Sequence, residues 1–455
     1  MEAGSLVMLL PELETFLGRF DDCFIRSEQR ESLRCYVKGQ LSDLPRKSIE
    51  PMALAADLPP HNLQQFLSLH HWDDAMLRDR VQQIIGREHH DPNAISIIDE
   101  TYHAKKGDMT PGVQRQWCGT KGTTDNCTVT VHLTQSSVGG AGNGKAGGFR
   151  CMLDSELFLP EKTWSDDRVR CRKAGIPDDM VYRAKPTIAL ELIDRARRNG
   201  VHLGWLTFDA GYGKHTEFMH ALEERGVMYV GEVPGHITGW TKPPPVMLKE
   251  HAGVRRKTER GETIGRPRVF PRPKVLPGDM HKAKSVTNLV KHSPVFTNQP
   301  WVMYHIKDDD GGPVIWEVKA ASFHTKRERV PTWPHWLIAA KHTLSGEIKY
   351  FVSNAPSGTP LEQLLHVAFS RWGVERCFED AKGELGFSHF EVRNYQSLLR
   401  HMIITAVSLL FLSRATAGLR EGGKKSTRDD LPGAAGNQCA DPRDLERHAA
   451  EPQAA

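Results

Sequence analysis

The chain has 455 residues, with 39% hydrophobic and 25% charged side chains, enough apolar material for a packed core spread over several domains. Sixty Lys and Arg against 56 Asp and Glu leave a formal charge of +4, so overall charge alone does not point to nucleic acid. The apolar run Met402 to Leu412 is shorter than a membrane span, Glu2 stands where a secretion signal would be basic, and the eight cysteines form no CxxC pair. These features predict a reducing, cytoplasmic setting and no membrane partner.

Residues 11–88 read as helical. Leu13, Phe16, Leu17, Phe20 and Phe24 recur at helical spacing, followed by Leu33, Tyr36, Val37 and Leu41. Two short segments, Ile49 to Leu58 and Leu63 to Leu69, flank Pro59-Pro60, with Asn62 as the expected N-cap of the second. The pair fits a helix-turn-helix, with Arg46 and Lys47 just before it, and it fits an ordinary helical bundle equally well. A further helix is expected from Asp73 to about Ile85.

The pattern changes at residue 94. Ala94 to Ile98 is an apolar, β-branched run that ends in Asp99. Asn126 to Thr134 alternates, and Phe149 to Leu159 is strand-like again, which predicts a meander of three antiparallel strands. Between them, GGAGNGKAGG (139–148) approaches a phosphate-binding loop, but Ala146 replaces the required hydroxyl, so it reads as a hairpin loop. A helix over Ile188 to Asn199, a strand over Val201 to Phe208 ending in Asp209, a helix over Thr216 to Arg225 and a strand over Val227 to Val233 follow. That order indicates a βαβ unit in an α/β layer.

Residues 241–300 carry 13 Lys or Arg against 4 Asp or Glu, together with 9 prolines. With Arg255, Arg256 and Lys257 at its centre and Trp240, Trp301, Trp316, Trp333 and Trp336 nearby, this stretch suits a DNA-binding surface with stacking groups. Strand-like pieces continue to Ser353. Helices are expected over Leu361 to about Leu385 and Tyr395 to Arg414, and the Gly-, Pro- and Ala-rich tail from Ala415 is expected to be disordered.

Two acids therefore stand at the ends of apolar strands, where rigid carboxylates can hold a hard cation such as Mg²⁺ or Mn²⁺. A lone strand-end Asp is more often a turn former, so a third acid is needed. RWGVERCFEDAKGELGF supplies one. At about 100° per residue, Arg371, Glu375 and Lys382 fall within about 40° of each other, beside a row formed by Val374, Cys377, Phe378 and Ala381. Without context, such a stripe is an ordinary salt-bridged helix surface.

The spacing Arg371-x3-Glu375-x6-Lys382 resembles the Tyr-x2-Arg-x3-Glu-x6-Lys signature of a group of bacterial insertion-sequence DDE transposases. ELGFSHFEVRNYQSLLRHM, after Glu375, and DETYHAKKGDMTPGVQRQWCGTKGTTDN, from Asp99, look like the same family, and the likeness spans roughly residues 24–412. Ala368, beside Phe369, departs from the signature's Tyr. The resemblance implies an α/β fold with an RNase H-like mixed sheet flanked by helices. It implies an N-terminal helical DNA-binding domain (1–88), catalytic segments (89–235 and 351–415), a β-rich basic insertion (236–350) and a tail (416–455). It implies that Asp99, Asp209 and Glu375 are catalytic and hold Mg²⁺ or Mn²⁺ as two ions, and that Arg371 and Lys382 contact DNA along with Arg255, Arg256 and Lys257. The implied activity is endonucleolytic cutting of element ends and their transfer into double-stranded target DNA by a homo-oligomer, at least a dimer, at the bacterial nucleoid. A sequence-specific DNA-binding regulator, or a transposase that has lost catalysis, is the alternative.

Overall fold

The computed structural model describes residues 3–137, 149–251, 256–259, 261, 263–264, 270–309 and 312–429. Five helices open the chain: α1 (Ala3–Gly18), α2 (Ser27–Leu41), α3 (Ile49–Ala55), α4 (Pro60–Ser68) and α5 (Asp74–Glu88). Helix α4 starts one turn earlier than Asn62 would start it. Pro59 is the N-cap and Pro60 is the first helical residue, where the missing N–H costs nothing. The Asp73 carboxylate caps α5 by accepting from the Met76 amide at 2.8 Å.

The central part contains β1 (Ile95–Ala104), β2 (Gln114–Cys118), β3 (Thr123–Ser136), β4 (Arg150–Leu157), α6 (Arg168–Lys173), α7 (Lys185–Arg198), β5 (Trp205–Phe208), α8 (Ala210–Gly213), α9 (Thr216–Glu224) and β6 (Tyr229–Val233). The expected meander is present, since β3 runs antiparallel to both β1 and β4. Two features differ. Strand β1 continues five residues past Asp99, because Asp99 to Ala104 pair with His132 back to Cys127 on β3. Strand β2, whose exposed alternate positions hide its periodicity, pairs with the near end of β3.

Small strands β7 (Thr238–Gly239), β8 (Val246–His251), β9 (Arg256–Lys257), β10 (Thr263–Ile264), β11 (Phe270–Val275) and β12 (Lys284–Ser285) come next, then α10 (Val286–His292) and α11 (Pro294–Thr297). Strands β8 and β11 form a hairpin outside the main sheet. The next pieces are β13 (Val302–Asp309), β14 (Gly312–Phe323), β15 (Lys326–Arg327), β16 (Val330–Pro331), β17 (His335–His342) and β18 (Ile348–Ser353). They do not form a separate body. The main sheet runs β13-β14-β17-β18-β6-β5-β1-β3-β2, with β4 also on β3, and β18 joins it antiparallel to β6. The three central strands β1, β5 and β6 are parallel. This is the mixed sheet expected of an RNase H-like α/β fold.

The chain closes with α12 (Leu361–Phe369), α13 (Trp372–Gly383) and α14 (Tyr395–Asp429). The single helix expected over 361–385 is broken at Ser370. The Ser370 hydroxyl donates to the His366 carbonyl at 2.6 Å, the back-bonding that bends helices. Helix α14 continues through Asp429, beyond the expected start of the tail, while residues 430–455 lie outside the described residues. The glycine-rich loop 139–148 also lies outside them. Tyr395–Gly418 is long and apolar enough to cross a membrane by length and composition, unlike the short run expected. Its apolar side chains, among them Leu398, Met402, Ile404, Val407 and Leu410, are buried inside the fold, as in a core helix.

Alternation along β1 assigns its two faces. Helix α7 packs on β3 and β4, and its first residue, Lys185, pairs with Glu100 at 2.5 Å. Helix α13 packs on the opposite face, over β1 and β3, where Asp99 points. The N-terminal helices share one core with the sheet, because α14 packs against α2, α4 and α5 as well as β4.

Candidate active site at the ends of the parallel strands

Ile95, Ile97 and Ile98 of β1 and Trp205, Leu206 and Phe208 of β5 are buried apolar residues that fix these strands at the centre of the sheet. Their parallel register pairs Ile98 with Phe208, and β5 with β6 pairs Phe208 with Gly231. One residue further along each strand stand Asp99, Asp209 and Glu232, so three carboxylates occupy one row across adjacent strands. Gly231 is required here, since an added Cβ would lie 2.0 Å from the Phe208 ring. Asp209 leaves the strand to cap α8, accepting from the Tyr212 amide at 3.2 Å. Gly213 lets that helix lie against β6, because its Cβ would sit 1.9 Å from the Glu232 carbonyl.

Helix α13 brings Glu375 over this row, and Arg371 links the two parts. The Arg371 guanidinium donates from one nitrogen to Asp99 Oδ2 at 2.9 Å and meets Glu375 Oε1 from the other at 3.4 Å. The Asp99 side chain is 15% exposed and that of Glu375 is 58% exposed, so the site is open on the helix side and closed on the strand side. Burial pushes the Asp99 carboxyl up to about 7. Arg371 opposes that shift, and the neighbouring Asp209 and Glu100 add to it. Burial works against the charge of Arg371, yet Asp99, Glu375, Asp209 and Glu232 together hold its pKa above the ordinary value.

The expected residues thus fall into two groups. Asp99, Asp209, Glu375 and Arg371 come together. Lys382 lies further along α13 and donates to the Tyr102 carbonyl at 3.3 Å, a backbone bond on β1 in place of an open phosphate contact. Arg371, expected to face DNA, is engaged by carboxylates instead. Glu232 was not anticipated, although it follows the run Tyr229–Gly231 much as Asp99 and Asp209 follow theirs. It is also paired with Lys349 of β18 at 3.6 Å.

The donor set is chemically suited to a hard divalent cation, being all carboxylate oxygen on a rigid sheet with one member desolvated. As the side chains stand, no three acids, histidines or cysteines among the described residues are grouped to hold an ion. Arg371 lies between Asp99 and Glu375 and supplies the positive charge there.

The expected DNA-contact groups outside the site divide similarly. Arg255 lies outside the described residues, and Arg256–Lys257 form the short β9, paired with Thr263–Ile264. Of the five tryptophans, Trp333 is the exposed one, at 56%. Trp240 and Trp316 are buried, the Trp336 indole donates to the Pro356 carbonyl, and Trp301 lies under Lys319 and Lys341. They are mainly packing groups because each has an apolar neighbour or a backbone acceptor to satisfy. Arg46 is paired with Glu391, and Lys47 is buried on the Gln40 and Glu384 carbonyls, so neither is free beside the α3–α4 pair. Ala368, at the signature's Tyr position, is buried, and Phe369 packs on Trp316 and Phe351.

Residues 19–300 match the family described as DDE superfamily endonuclease. The chain belongs to that superfamily. The match covers Asp99 and Asp209 and ends before Glu375. The chain is also 30% identical over 203 residues to the "Probable transposase for insertion sequence element IS701" of Microchaete diplosiphon. That likeness covers 44% of this chain and 48% of the relative, so the chain spans about half the length of the curated protein it matches.

Proposed function

We propose that the protein is the transposase of an insertion sequence, cutting the element's ends and joining them to target duplex with the help of a divalent metal. One observation carries this reading. Asp99 and Asp209 stand in one row of adjacent parallel strands, with Glu375 presented above them from α13. A protein that only bound DNA would have no use for a desolvated carboxylate row at the centre of its sheet.

In this reading Asp99, Asp209 and Glu375 hold the metal, and Glu232 lies close enough to adjust the charge of the site. Divalent ions bound there would supply activation of the attacking oxygen and charge stabilisation of the leaving one for in-line displacement at phosphorus. The strands β1 and β5 fix the two aspartates, while the exposed Glu375 adapts as substrate enters. Arg371 is the cation nearest the scissile phosphate, suited to it by its planar fork of donors. Helix α4, with Gln64 and Gln65 exposed, is the element assigned to base reading, since an amide side chain can pair with an adenine edge. The basic segment 241–300 provides sequence-independent phosphate contacts. Pairing two element ends requires at least a dimer.

The test is incubation of the purified protein with labelled element-end duplex and Mg²⁺ or Mn²⁺, scoring both nicking and joining. Nicking without joining would make the protein a stand-alone endonuclease. Neither product, with end binding intact, would favour a DNA-binding regulator.

A further inference from the structure

The feature that the proposed chemistry does not absorb is the position of Arg371. A residue meant only to hold a DNA phosphate would be expected to point outward. Here its guanidinium lies against Asp99 Oδ2 at 2.9 Å and reaches Glu375 Oε1 at 3.4 Å. Its side chain is 27% exposed and that of Asp99 15%, so the Asp99 contact is largely screened from water, while the Glu375 contact faces the open side. Four carboxylates act on it: Asp99, Glu375, Asp209 and Glu232. Glu232 also meets Lys349, whereas Arg371 is the cation paired with Asp99 among the described residues.

A guanidinium on Asp99 Oδ2 and Glu375 Oε1 competes with a dication for those carboxylates. Each draws on the negative charge of Asp99 and Glu375, and their like charges repel at such separations, so occupancy by one weakens occupancy by the other. The backbone offers Arg371 somewhere to go. It is the first residue after the break at Ser370, where α12 ends and α13 begins, so its side chain springs from a joint in the helix and not from the middle of a rigid turn. The group best matched to a released guanidinium is a phosphate, which accepts two parallel N–H bonds. DNA brings that group to this site.

Resting on the transposase reading, we propose that Arg371 is the resident counter-ion of the metal-free site, and that DNA gates metal loading. A backbone phosphate draws Arg371 away from Asp99 and Glu375, and the carboxylates so freed take the divalent ion. No covalent step is involved. Linkage requires the coupling to be reciprocal, so phosphate engagement tightens metal binding by the same factor as metal tightens phosphate engagement. The device would keep a nuclease site unloaded until its substrate is in place.

The experiment measures Mn²⁺ binding to the full chain by electron paramagnetic resonance, using the parent, Arg371→Gln, Arg371→Lys and Asp99→Asn. Without DNA, Arg371→Gln should bind Mn²⁺ about tenfold tighter than the parent, a typical coupling. Arg371→Lys should fall between them, because a single ammonium cannot span both carboxylates. A short random duplex should tighten Mn²⁺ binding by the parent and leave Arg371→Gln unchanged. The Asp99→Asn protein with the same duplex supplies the correction for Mn²⁺ held by DNA phosphates. Unchanged near-ultraviolet circular dichroism establishes that the variants are folded, and Arg371→Lys carries the comparison if Arg371→Gln is not. If Mn²⁺ binding depends on Asp99 but is equal or weaker in Arg371→Gln and Arg371→Lys, or is not tightened by duplex in the parent, the gate is overturned and the transposase reading stands. If no variant binds Mn²⁺ better than Asp99→Asn, both fall together.

Discussion

Arg400 of α14 lies over the Trp72 ring at 4.3 Å and donates to the Trp72 carbonyl at 3.2 Å. The same guanidinium donates to the carbonyls of Phe66, Leu67 and His70, which end α4 and lead into α5. It is 1% exposed and has carbonyls where a carboxylate partner would be usual. The N-terminal helices are thereby fastened to the helix that also packs on β4. Arg400→Met leaves the Leu67, His70 and Trp72 carbonyls without this donor, each at a cost of about 1–3 kcal/mol, while the Phe66 carbonyl keeps the Trp72 indole N–H at 2.9 Å. We expect a total loss of about 3–5 kcal/mol, read as a lower urea midpoint. A midpoint within error of the parent would mean the acceptors find other donors.

This fastening affects how DNA reading by α4 can be tested. Removing residues 1–88 would uncover the buried face of α14, so truncation would report on folding as well as on recognition. The exposed Gln64 and Gln65 can be changed without that effect. Gln64→Ala with Gln65→Ala should reduce the preference for element ends over random duplex by about 1–3 kcal/mol for each base no longer paired by an amide. Affinity for random duplex should be unaltered. An unchanged preference in a competition binding assay would place base reading elsewhere.

Acid should destabilise the fold through buried histidines. His401 accepts from the Tyr36 hydroxyl at Nδ1 and donates from Nε2 to the Phe387 carbonyl, which fixes the neutral ring. Burial holds its pKa down, to about 4, against the Phe387 hydrogen bond and with help from Lys105 and His389. Burial and Lys382 likewise hold His132 down, to about 3. Both folded values lie below the unfolded value near 6.5, so the unfolded chain binds more protons as pH falls. Stability is fully present above about pH 6.5 and is lost as pH falls toward 4 and below, by about 3 kcal/mol for His401 alone. His401→Gln should lower stability at neutral pH and flatten its decline with acid. An equally steep decline would assign the acid sensitivity to other groups.

For the basic segment, Arg255, Arg256 and Lys257 changed together to Ala should weaken binding to any duplex. The slope of log affinity against log salt should shrink by roughly 2–3 units, one counterion for each phosphate no longer neutralised. Specificity should hold, because phosphate contacts position DNA without reading it. An identical slope would mean that these residues touch nothing.

The sequence was most legible where local pattern and burial agree. A β-branched apolar run marked β1, shorter apolar runs marked β5 and β6, and helical periodicity marked α7, α9 and the buried face of α13. Asp99 and Asp209 were visible because each follows such a run. The continuation of β1 past Asp99 was not, since Glu100, Thr101 and His103 break the apolar pattern and their pairing is decided by β3. The joining of β18 to β6 was equally hidden, as it pairs residues more than a hundred positions apart. The stripe of Arg371, Glu375 and Lys382 was readable as spacing, but not its partners. Which carboxylate Arg371 meets is set by how α13 crosses the sheet. Lys47 shows the same limit, being a basic residue in sequence and a buried donor to two carbonyls in the fold.

The most direct test of the central claim is cleavage and joining of element-end DNA by the parent beside Asp99→Asn, Asp209→Asn and Glu375→Gln, each first shown to bind the end. The account predicts that all three lose cleavage and joining by on the order of 10³-fold or more, since each loses a metal ligand, while end binding, which rests on basic and amide groups elsewhere, remains. A variant at any of these three positions that cuts at a rate near the parent's would contradict it.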